Sequence, residues 1–200
     1  MTRFELVVAT RNEGKRKEFR RILGRRIPCI GLFSLNDFPG APAVRETKAT
    51  LEGNAVLKAE SAAKFTGLPA LADDSGLFVN ALGGKPGAKS ARYSGPKASD
   101  ASNRRKLLRQ MKGKKTRGAV FKCVVAVATP EGKAVFAKGI ARGRIVQEER
   151  GRRCFGYDSV FVPCGYGKTF AELGPRVKDR LSHRARALEK IVPIIRKIIS

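Results

Sequence analysis

Two adjacent carboxylates, Asp73 and Asp74, stand between two apolar runs of the chain. The first run, Leu68 to Ala72, has strand character, and the second extends from Leu77 to Leu82. Like charges in a half-buried corner repel, so the pair costs free energy unless a cation lies beside it. Mg2+ binds well to one or two carboxylates together with the phosphates of a substrate. The pattern therefore predicts a metal site that serves a phosphate-bearing ligand.

The same residues also fit a surface turn, because Asp, Ser and Gly are common in turns. On its own, the tetrapeptide Asp73 to Gly76 is more often a turn than a metal site. The loop that follows, residues 84–95, carries Lys85, Lys89 and Arg92, which could meet phosphates. The choice between the two interpretations therefore depends on the rest of the chain.

The chain carries 42 lysine and arginine residues against 17 aspartate and glutamate residues, which gives a net charge of +25. Such an excess attracts polyanions, so nucleotides, nucleic acids and anionic surfaces are all candidate partners. The basic residues are spread along the whole chain, without a basic tail, an RNP-like aromatic pair or a zinc knuckle. Nucleic-acid binding therefore stays an alternative that no motif favours.

Two hundred residues suit a single domain, and we expect residues 1–200 to form one. The sequence shows neither a signal peptide nor a long apolar run, so no membrane partner is expected. Its four cysteines have no CxxC spacing, which is typical of reduced thiols in a cytoplasmic protein. His183 is the only histidine, so mechanisms that need two histidines are excluded.

Strand and helix signals alternate along the chain. Residues 4–9 have the pattern of a buried strand, residues 10–15 that of a polar turn, and residues 15–23 that of a helix. Such a unit would place backbone N–H groups and Lys15 where an anion can bind, although the Walker pattern is absent. The other predicted elements are a strand at 27–33, helices at 51–65 and from Ser99 or Asp100 to about Met111, strands at 119–128, 134–145 and 159–162, a loop at 165–174 and a last helix from Ser182 to about Ile199.

The predicted start of the last helix is unusually basic. Arg180, His183, Arg184 and Arg186 crowd its first turn, where the helix dipole disfavours cations by a few tenths of a kcal/mol each. A bound anion at this helix end would explain the charges, and so would a solvated face. The segment alone favours neither interpretation.

Separated segments of the chain resemble the motifs of one family, in the order of that family. They are Thr10 to Lys15 (TxNxxK), Glu46 to Lys58 (ending in the Asn-Ala and Lys of its second motif), Ala72 to Tyr93 (ADDSGL, then ALGGxPGxxSARY), Phe155 to Asp158 (FGYD) and Ser182 to Arg184 (SHR). Together they resemble the Ham1-like inosine triphosphate pyrophosphatases, also described as dITP/XTP pyrophosphatases. The resemblance extends over essentially the whole chain.

The resemblance implies an α/β fold with an elongated mixed β-sheet flanked by helices, in two lobes with a nucleotide cleft between them. It also implies hydrolysis of a non-canonical purine nucleoside triphosphate (ITP, dITP or XTP) to the monophosphate and pyrophosphate, with Mg2+ as cofactor. Family members are usually homodimers that remove deaminated purines from the nucleotide pool.

The resemblance also assigns roles by position. Asp74 is the catalytic residue and a metal ligand, Glu46 is the second metal carboxylate, and Asp73 supports them. The residues assigned to the triphosphate are Thr10, Asn12, Lys15, Lys58 and Ser75, with Arg11, Glu13 and Gly14 in the same turn. The residues assigned to the base pocket are Phe155, Gly156, Tyr157, Asp158, Lys178, His183 and Arg184, with Phe155 as the stacking platform.

Three positions depart from the family pattern. Gly53 stands where the family has a glutamate, so Glu52 would have to substitute for it or the site would have fewer carboxylates. Cys154 replaces a glycine, and Ser159 replaces a proline found in many relatives. Two alternatives stay open: a Maf-like pyrophosphatase with another base preference, and a nucleic-acid-binding protein on the same fold. The first is disfavoured by the FGYD and SHR motifs, and the second by the intact acidic and lysine positions.

Overall fold

The computed structural model describes residues 4–152 and 155–199. Within it the chain forms two compact units. Unit 1 comprises the residues up to Asp74, Cys123–Gly139 and the residues from Arg184 onward, and unit 2 comprises Ser75–Lys122 and Ile140–His183. The chain therefore enters each unit more than once, and each unit is built from segments that are distant in sequence.

The fold is α/β, as predicted, and its sheet is mixed. The strands are β1 (Glu5–Val8), β2 (Gly31–Ser34), β3 (Ala70–Val79), β4 (Pro86–Gly87), β5 (Gly118–Ala128), β6 (Ala134–Ile145) and β7 (Phe161–Pro163). Hydrogen bonds link them in the order β2-β1-β3-β5-β6-β7, and β4 pairs with β3. The pairs β1–β2 and β1–β3 are parallel, whereas β3–β4 and β6–β7 are antiparallel.

Five helices accompany the strands in the described residues. They are α1 (Glu13–Arg26), α2 (Leu51–Thr66), α3 (Asp100–Gln110), α4 (Phe170–Leu181) and α5 (His183–Ile199). Short 3-10 turns occur at Leu35–Asp37, Asn80–Leu82, Ser90–Arg92 and Asp158–Val160. No helix in the described part of the chain combines the length and the apolar character that crossing a membrane requires.

The core of unit 1 lies between its parallel strands and helices α1 and α5. Leu6 and Val8 of β1 pack in one cluster with Phe19 of α1, Leu71 of β3 and Leu188 of α5, all buried. The apolar run at residues 4–9 was predicted to be a buried strand, and β1 confirms it. Burial on this scale holds α1 against the first part of β3, which positions the side chains described below.

The core of unit 2 is a separate apolar cluster. Leu77 of β3 packs with Leu107 of α3, Phe121 of β5, Phe161 of β7 and Phe170 of α4. The Phe161 and Phe170 rings stack with their centroids 5.5 Å apart. This packing holds the loop between β6 and β7, which carries the FGYD motif, on a fixed support.

The tetrapeptide Asp73 to Gly76 lies inside a strand, so the turn interpretation is wrong. The two apolar runs around it form one continuous strand, β3, and both carboxylates are buried. Gly76 allows β4 to approach, because a Cβ there would lie 2.4 Å from the Gly87 carbonyl oxygen. Close backbone approach, and not chain reversal, is therefore the reason for glycine at this position.

The loop predicted at 165–174 is also partly wrong, because α4 begins at Phe170. Thr169 caps the helix by accepting from the Glu172 N–H, while the Glu172 carboxylate accepts from the Thr169 N–H. This TxxE capping box is readable in the sequence and was missed. The loop signal came from Gly174, whose φ of 76° interrupts α4 before Pro175 starts its second part.

Candidate active site

The first part of the site, in unit 1, is the turn that starts α1. The Asn12 side chain caps the helix by accepting from the Lys15 N–H at 3.0 Å, and Thr10 Oγ1 accepts from the Asn12 N–H at 3.2 Å. The first N–H groups of a helix have no partner within it, so this turn can donate to an anion. Lys15 follows immediately and reaches Asp73, with Nζ 2.9 Å from Oδ1. The TxNxxK segment thus forms a helix cap with a lysine beside it.

The remaining predicted residues of this turn have other contacts. The Arg11 guanidinium donates to the Ala41 carbonyl at 2.6 Å, and the Glu13 carboxylate pairs with Arg16 on the same helix. Gly14 has no side chain to offer. Any part that these three residues take in binding a phosphate would therefore come from their backbone groups.

Asp73 is the centre of a buried ionic network. Arg184 donates to its Oδ2 from Nη2 at 2.8 Å and from Nε at 3.2 Å, and donates from Nη1 to the buried Glu18 of α1. Burial alone would raise the pKa of the Asp73 carboxyl, but the charges of Arg184, Lys15 and Lys58 hold that pKa well below its ordinary value. Asp73 is therefore an ionised carboxylate that ties α5, α1 and β3 together.

Asp74 has a different environment, since successive side chains of a strand point to opposite faces. Its Oδ2 accepts from Asn54 Nδ2 at 3.1 Å, and its Oδ1 lies 3.7 Å from Lys58 Nζ. Burial raises the pKa of the Asp74 carboxyl; Lys58 opposes the shift and the nearby charge of Glu46 adds to it. A carboxyl with a raised pKa is a better proton acceptor than an ordinary one near neutral pH.

Helix α2 supplies the partners of Asp74. Asn54 and Lys58 are four residues apart, hence on one face of the helix, as the sequence predicted. Lys58 Nζ also lies 3.1 Å from Glu46 Oε1, so one ammonium contacts both predicted metal carboxylates. The Lys48 N–H donates to the Asn54 Oδ1 at 2.9 Å and so fixes the orientation of the Asn54 amide.

The carboxylates of Glu46 and Asp74 are suitable ligands for a divalent cation. They are two carboxylates of like charge that already share a cation, the Lys58 ammonium. In residues 4–152 and 155–199, no three His, Cys, Asp or Glu side chains come together as a metal site. A metal here would thus bind two protein carboxylates and take its remaining ligands from substrate and water, which is how Mg2+ commonly binds.

The departure at Gly53 removes a carboxylate that the family pattern has at this position. Glu52 forms an ion pair with Lys138 of β6, whereas the described partners of Lys58 are Glu46 and Asp74. Cys154, the second departure, lies outside the described residues. Ser159, the third, is buried and donates from its hydroxyl to Glu149 Oε2 at 2.9 Å.

The base-pocket residues of unit 2 form a second cluster. Asp158 and Lys178 make a buried ion pair, and Lys178 Nζ lies 4.9 Å from the centroid of the Phe155 ring. The Tyr157 hydroxyl donates to the Ser90 carbonyl at 2.8 Å, and burial raises its pKa. This arrangement offers an aromatic face beside a cation and a carboxylate, which are the groups that recognise a base by stacking and hydrogen bonding.

Both backbone polar groups of Gly156 are hydrogen-bonded to side chains of α3. Its N–H donates to Asp100 Oδ2 at 2.7 Å, and its carbonyl accepts from Arg104 Nη1 at 3.0 Å. Its φ of 57° requires a residue that tolerates the left-handed region. Asp100 and Arg104 lie on one face of α3 and were not predicted as site residues, since nothing in their local pattern points to the FGYD loop.

His183 and Arg184, both assigned to the base, lie in different units. The buried His183 ring stacks on Phe121, with centroids 4.5 Å apart and planes 7° apart. The Arg184 guanidinium is fully buried against Asp73 and Glu18. Ser75, half-buried, is the first residue of unit 2.

Among the described residues of unit 1, Glu18 is the one buried carboxylate that sequence reasoning missed. It is the single acidic residue between Lys15 and Arg26, three positions after Lys15 on α1. An acidic residue on the apolar face of a basic helix signals a buried partner, and that partner is Arg184.

Comparisons with known proteins agree with the motif pattern. The model of the Ham1 family matches residues 6–194. A dITP/XTP pyrophosphatase of Geobacter sulfurreducens is 50% identical over 190 residues, covering 94% of this chain and 94% of that protein. A dITP/XTP pyrophosphatase of Desulfotalea psychrophila is 48% identical over 186 residues, covering 93% of this chain and 82% of that protein. A solved HAM1 protein of Coxiella burnetii superposes with a TM-score of 0.85 at 38% identity, covering 97% of this chain and 99% of that chain.

Proposed function

The chain belongs to the Ham1 family, and we propose that it hydrolyses the non-canonical purine nucleoside triphosphates ITP, dITP and XTP. The products are the nucleoside monophosphate and pyrophosphate. The observation that carries this proposal is the cluster in unit 1, where Lys15 and Lys58 stand beside Asp73, Asp74 and Glu46. The names of the relatives, dITP/XTP pyrophosphatases, support the same reaction.

The reaction breaks the phosphoanhydride bond between the α- and β-phosphates. A water oxygen forms a new bond to phosphorus, pyrophosphate leaves, and one proton of the water must be accepted. We assign the proton to Asp74, the buried carboxylate of this cluster beside Lys58 and Glu46, whose pKa burial raises in the metal-free protein. Positioning and charge neutralisation supply the rest of the catalysis, so no nucleophilic side chain is required.

We assign the triphosphate to the cap of α1 and to the two lysines of unit 1. The N–H groups after Asn12 donate to phosphate oxygens, and the Lys15 and Lys58 ammonium groups neutralise them. Arg184 and Glu18 act through Asp73: they hold its carboxylate in place, and that carboxylate holds Lys15. Arg184 is thus a positioning residue in this proposal, and the base contact stays a prediction.

Glu46 and Asp74 would hold the metal ion, which we propose to be Mg2+. When bound, Mg2+ would neutralise phosphate charge and lower the pKa of a water molecule. Lys58, which now contacts both carboxylates, would be released toward the phosphates.

Base selection is assigned to the cluster in unit 2. Hypoxanthine and xanthine carry a keto acceptor at position 6, where adenine carries an amino donor. Hydrogen-bond donors such as the Lys178 ammonium and a His183 ring N–H match the keto group and leave the adenine donor unmatched. A buried unmatched polar group costs about 1–3 kcal/mol, so we expect ITP to be preferred to ATP by about one to two orders of magnitude.

Pyrophosphate release from a panel of triphosphates, with and without Mg2+, tests this function. ITP and ATP form the matched pair, because they differ only in the group at position 6 of the base and in the N1 proton that accompanies the keto form. We expect Mg2+-dependent turnover of ITP, dITP and XTP with little distinction between ribose and deoxyribose. Comparable rates on ATP and ITP, or turnover of modified pyrimidine triphosphates alone, would contradict the proposal.

We further propose that the chain acts as a cytoplasmic homodimer that removes deaminated purines from the nucleotide pool. The support is the resemblance of its motifs to a family whose members are usually dimeric. Light scattering at several protein concentrations tests the dimer, and a concentration-independent monomer mass would exclude it.

A further inference from the structure

The turn between α3 and β5 concentrates positive charge that the proposed reaction does not use. Residues 109–117 read RQMKGKKTR, with five basic side chains and no acidic one. Arg109, Lys112, Lys114 and Lys115 are exposed, and none of their side chains has an ion-pair or hydrogen-bond partner among the described residues. We call these four residues and Arg117 the basic turn.

The basic turn is held in one conformation. The Arg117 guanidinium donates to three carbonyls: Ile145 at 2.6 Å, Met111 at 3.1 Å and Val146 at 2.6 Å. The Met111 N–H in turn completes α3 by donating to the Leu107 carbonyl. The four exposed cations are therefore presented on a fixed support, which reduces the entropy lost when they bind an anion.

A concave surface accompanies the charges. The basic turn lines a cavity of about 680 Å³ together with Gln147. A second cavity of about 260 Å³ shares Arg117 and Gln147 with it and adds Arg144 and Arg150. Glu148 is the single carboxylate among the residues that line the two. The two cavities thus share part of their lining and form a positive concave surface within unit 2.

The helix dipole explains only part of this charge. The C-terminal end of α3 carries the equivalent of about half a negative charge, which favours one nearby cation. Four exposed cations exceed that, and like charges so close repel unless an anion lies among them. None of these residues belongs to the triphosphate or base clusters described above.

We propose that the basic turn binds the sugar–phosphate backbone of double-stranded nucleic acid, independently of base sequence. Cations carried on an anchored backbone along this surface match a row of phosphates, the feature that dominates non-specific duplex binding. No aromatic side chain lines either cavity, so the stacking platforms typical of single-strand binding are absent from the described lining. A second, non-catalytic surface would hold the enzyme near nucleic acid.

Duplex binding by the whole chain, measured by fluorescence anisotropy over a range of salt concentrations, tests the proposal. The variant replaces Lys112, Lys114 and Lys115 by Gln. The matched control replaces three exposed lysines elsewhere, Lys64, Lys97 and Lys197, and so removes the same charge. Each phosphate contact contributes about 0.9 to the slope of log K against log salt, so we expect the variant to lose about two to three units of slope and the control far less.

ITP hydrolysis is measured on the same preparations and should be equal in all three proteins, because none of the six lysines belongs to the catalytic clusters. Equal losses of duplex binding in variant and control would overturn the proposal, since diffuse charge would then explain it. No duplex binding by the unmodified chain, or binding to anionic lipid vesicles alone, would overturn it as well. A double variant, Lys114→Gln with Lys115→Gln, gives the same comparison if the triple variant unfolds. If the unmodified chain does not hydrolyse ITP, the proposed function fails, but the duplex-binding measurement still tests the role of the basic turn.

Discussion

Asp73 and Asp74 are identical side chains at adjacent positions, yet the fold changes their acidity in opposite directions. Asp73 is surrounded by cations that lower its pKa, whereas the pKa of Asp74 is raised by burial and by Glu46. Alternation along β3 points them to different faces. The first is suited to a structural ion pair and the second to proton transfer, and matched substitutions can separate these roles.

Asp74→Asn should reduce hydrolysis of ITP by about two orders of magnitude or more, because it removes the proton acceptor and a metal ligand. The metal-free protein should unfold at an unchanged or slightly higher temperature, since the charged form of a carboxyl with a raised pKa is disfavoured by folding. Steady-state kinetics and calorimetry measure both effects. Near wild-type turnover would mean that Asp74 is not the catalytic carboxylate.

Asp73→Asn, unlike Asp74→Asn, should cause a large loss of stability. Removing one partner of a buried ion pair costs about 3 to 5 kcal/mol, because Arg184 would lose its counter-charge. Since the folded pKa of Asp73 is below its unfolded value, near 3.9, its stabilisation is complete above that value and is lost as the pH falls below it. Denaturant unfolding of the metal-free protein, repeated at decreasing pH, measures this. A stability equal to that of Asp74→Asn would contradict the assignment.

Glu18→Gln tests whether the network positions Lys15. Weakening the hold on Arg184 should loosen Asp73 and then Lys15, and we expect KM for ITP to rise by about tenfold while kcat changes less, as for a lost binding contact. Glu189→Gln is the control, because Glu189 belongs to an exposed ion pair with Arg26. A loss of stability with an unchanged KM would show that Glu18 is only structural.

At the scale of elements, helix α2 contributes side chains to the site but lacks a complete capping box at its N-terminus. Thr50 caps it by accepting from the Gly53 N–H at 3.1 Å, and Asn54 and Lys58 follow on the site face. Gly53 occupies the third helical position, where a glutamate would complete a capping box with Thr50. The family's glutamate at this position would therefore serve the helix as well as the site.

Gly53→Glu should be more stable than Gly53→Ala by about 0.3 to 1.5 kcal/mol, because only the glutamate completes the capping box with Thr50. Gly53→Ala is the matched control, since both variants add the same Cβ. That Cβ would lie 2.8 Å from the Lys48 Cβ, which moves only with its backbone, so both variants carry the same steric cost relative to glycine. Thermal unfolding ranks the three proteins, and a glutamate variant no more stable than the alanine variant would exclude the capping box.

At the scale of the whole molecule, the net charge of +25 produces a positive field that attracts anionic substrates. Salt screens this field, with a Debye length of about 8 Å at physiological ionic strength. We expect kcat/KM for ITP to fall as the salt concentration rises, while kcat changes little because the bound state is already formed. Stopped-flow and steady-state rates over a salt series measure this. A parallel fall of kcat would mean that salt acts on the enzyme–substrate complex and not on the attraction of the substrate.

Local sequence was enough to predict most of the fold. Strand β1, helices α1, α2, α3 and α5 and the hairpin of β5 and β6 agree with the predicted elements, because apolar periodicity depends on residues close in sequence. The caps at Asn12 and Ser99 follow from the same short-range chemistry. The motif order also identified the family, which the comparisons confirm.

Tertiary structure alone decided how the charged groups are paired. Asp73 finds Arg184 at a separation of 111 residues, and Glu18 finds the same arginine at 166. No local pattern encodes such distances, so the sequence could not show that one aspartate is held ionised while its neighbour is not. A pKa depends on burial and on charges in three dimensions, and these exist only once the chain has brought its distant segments together.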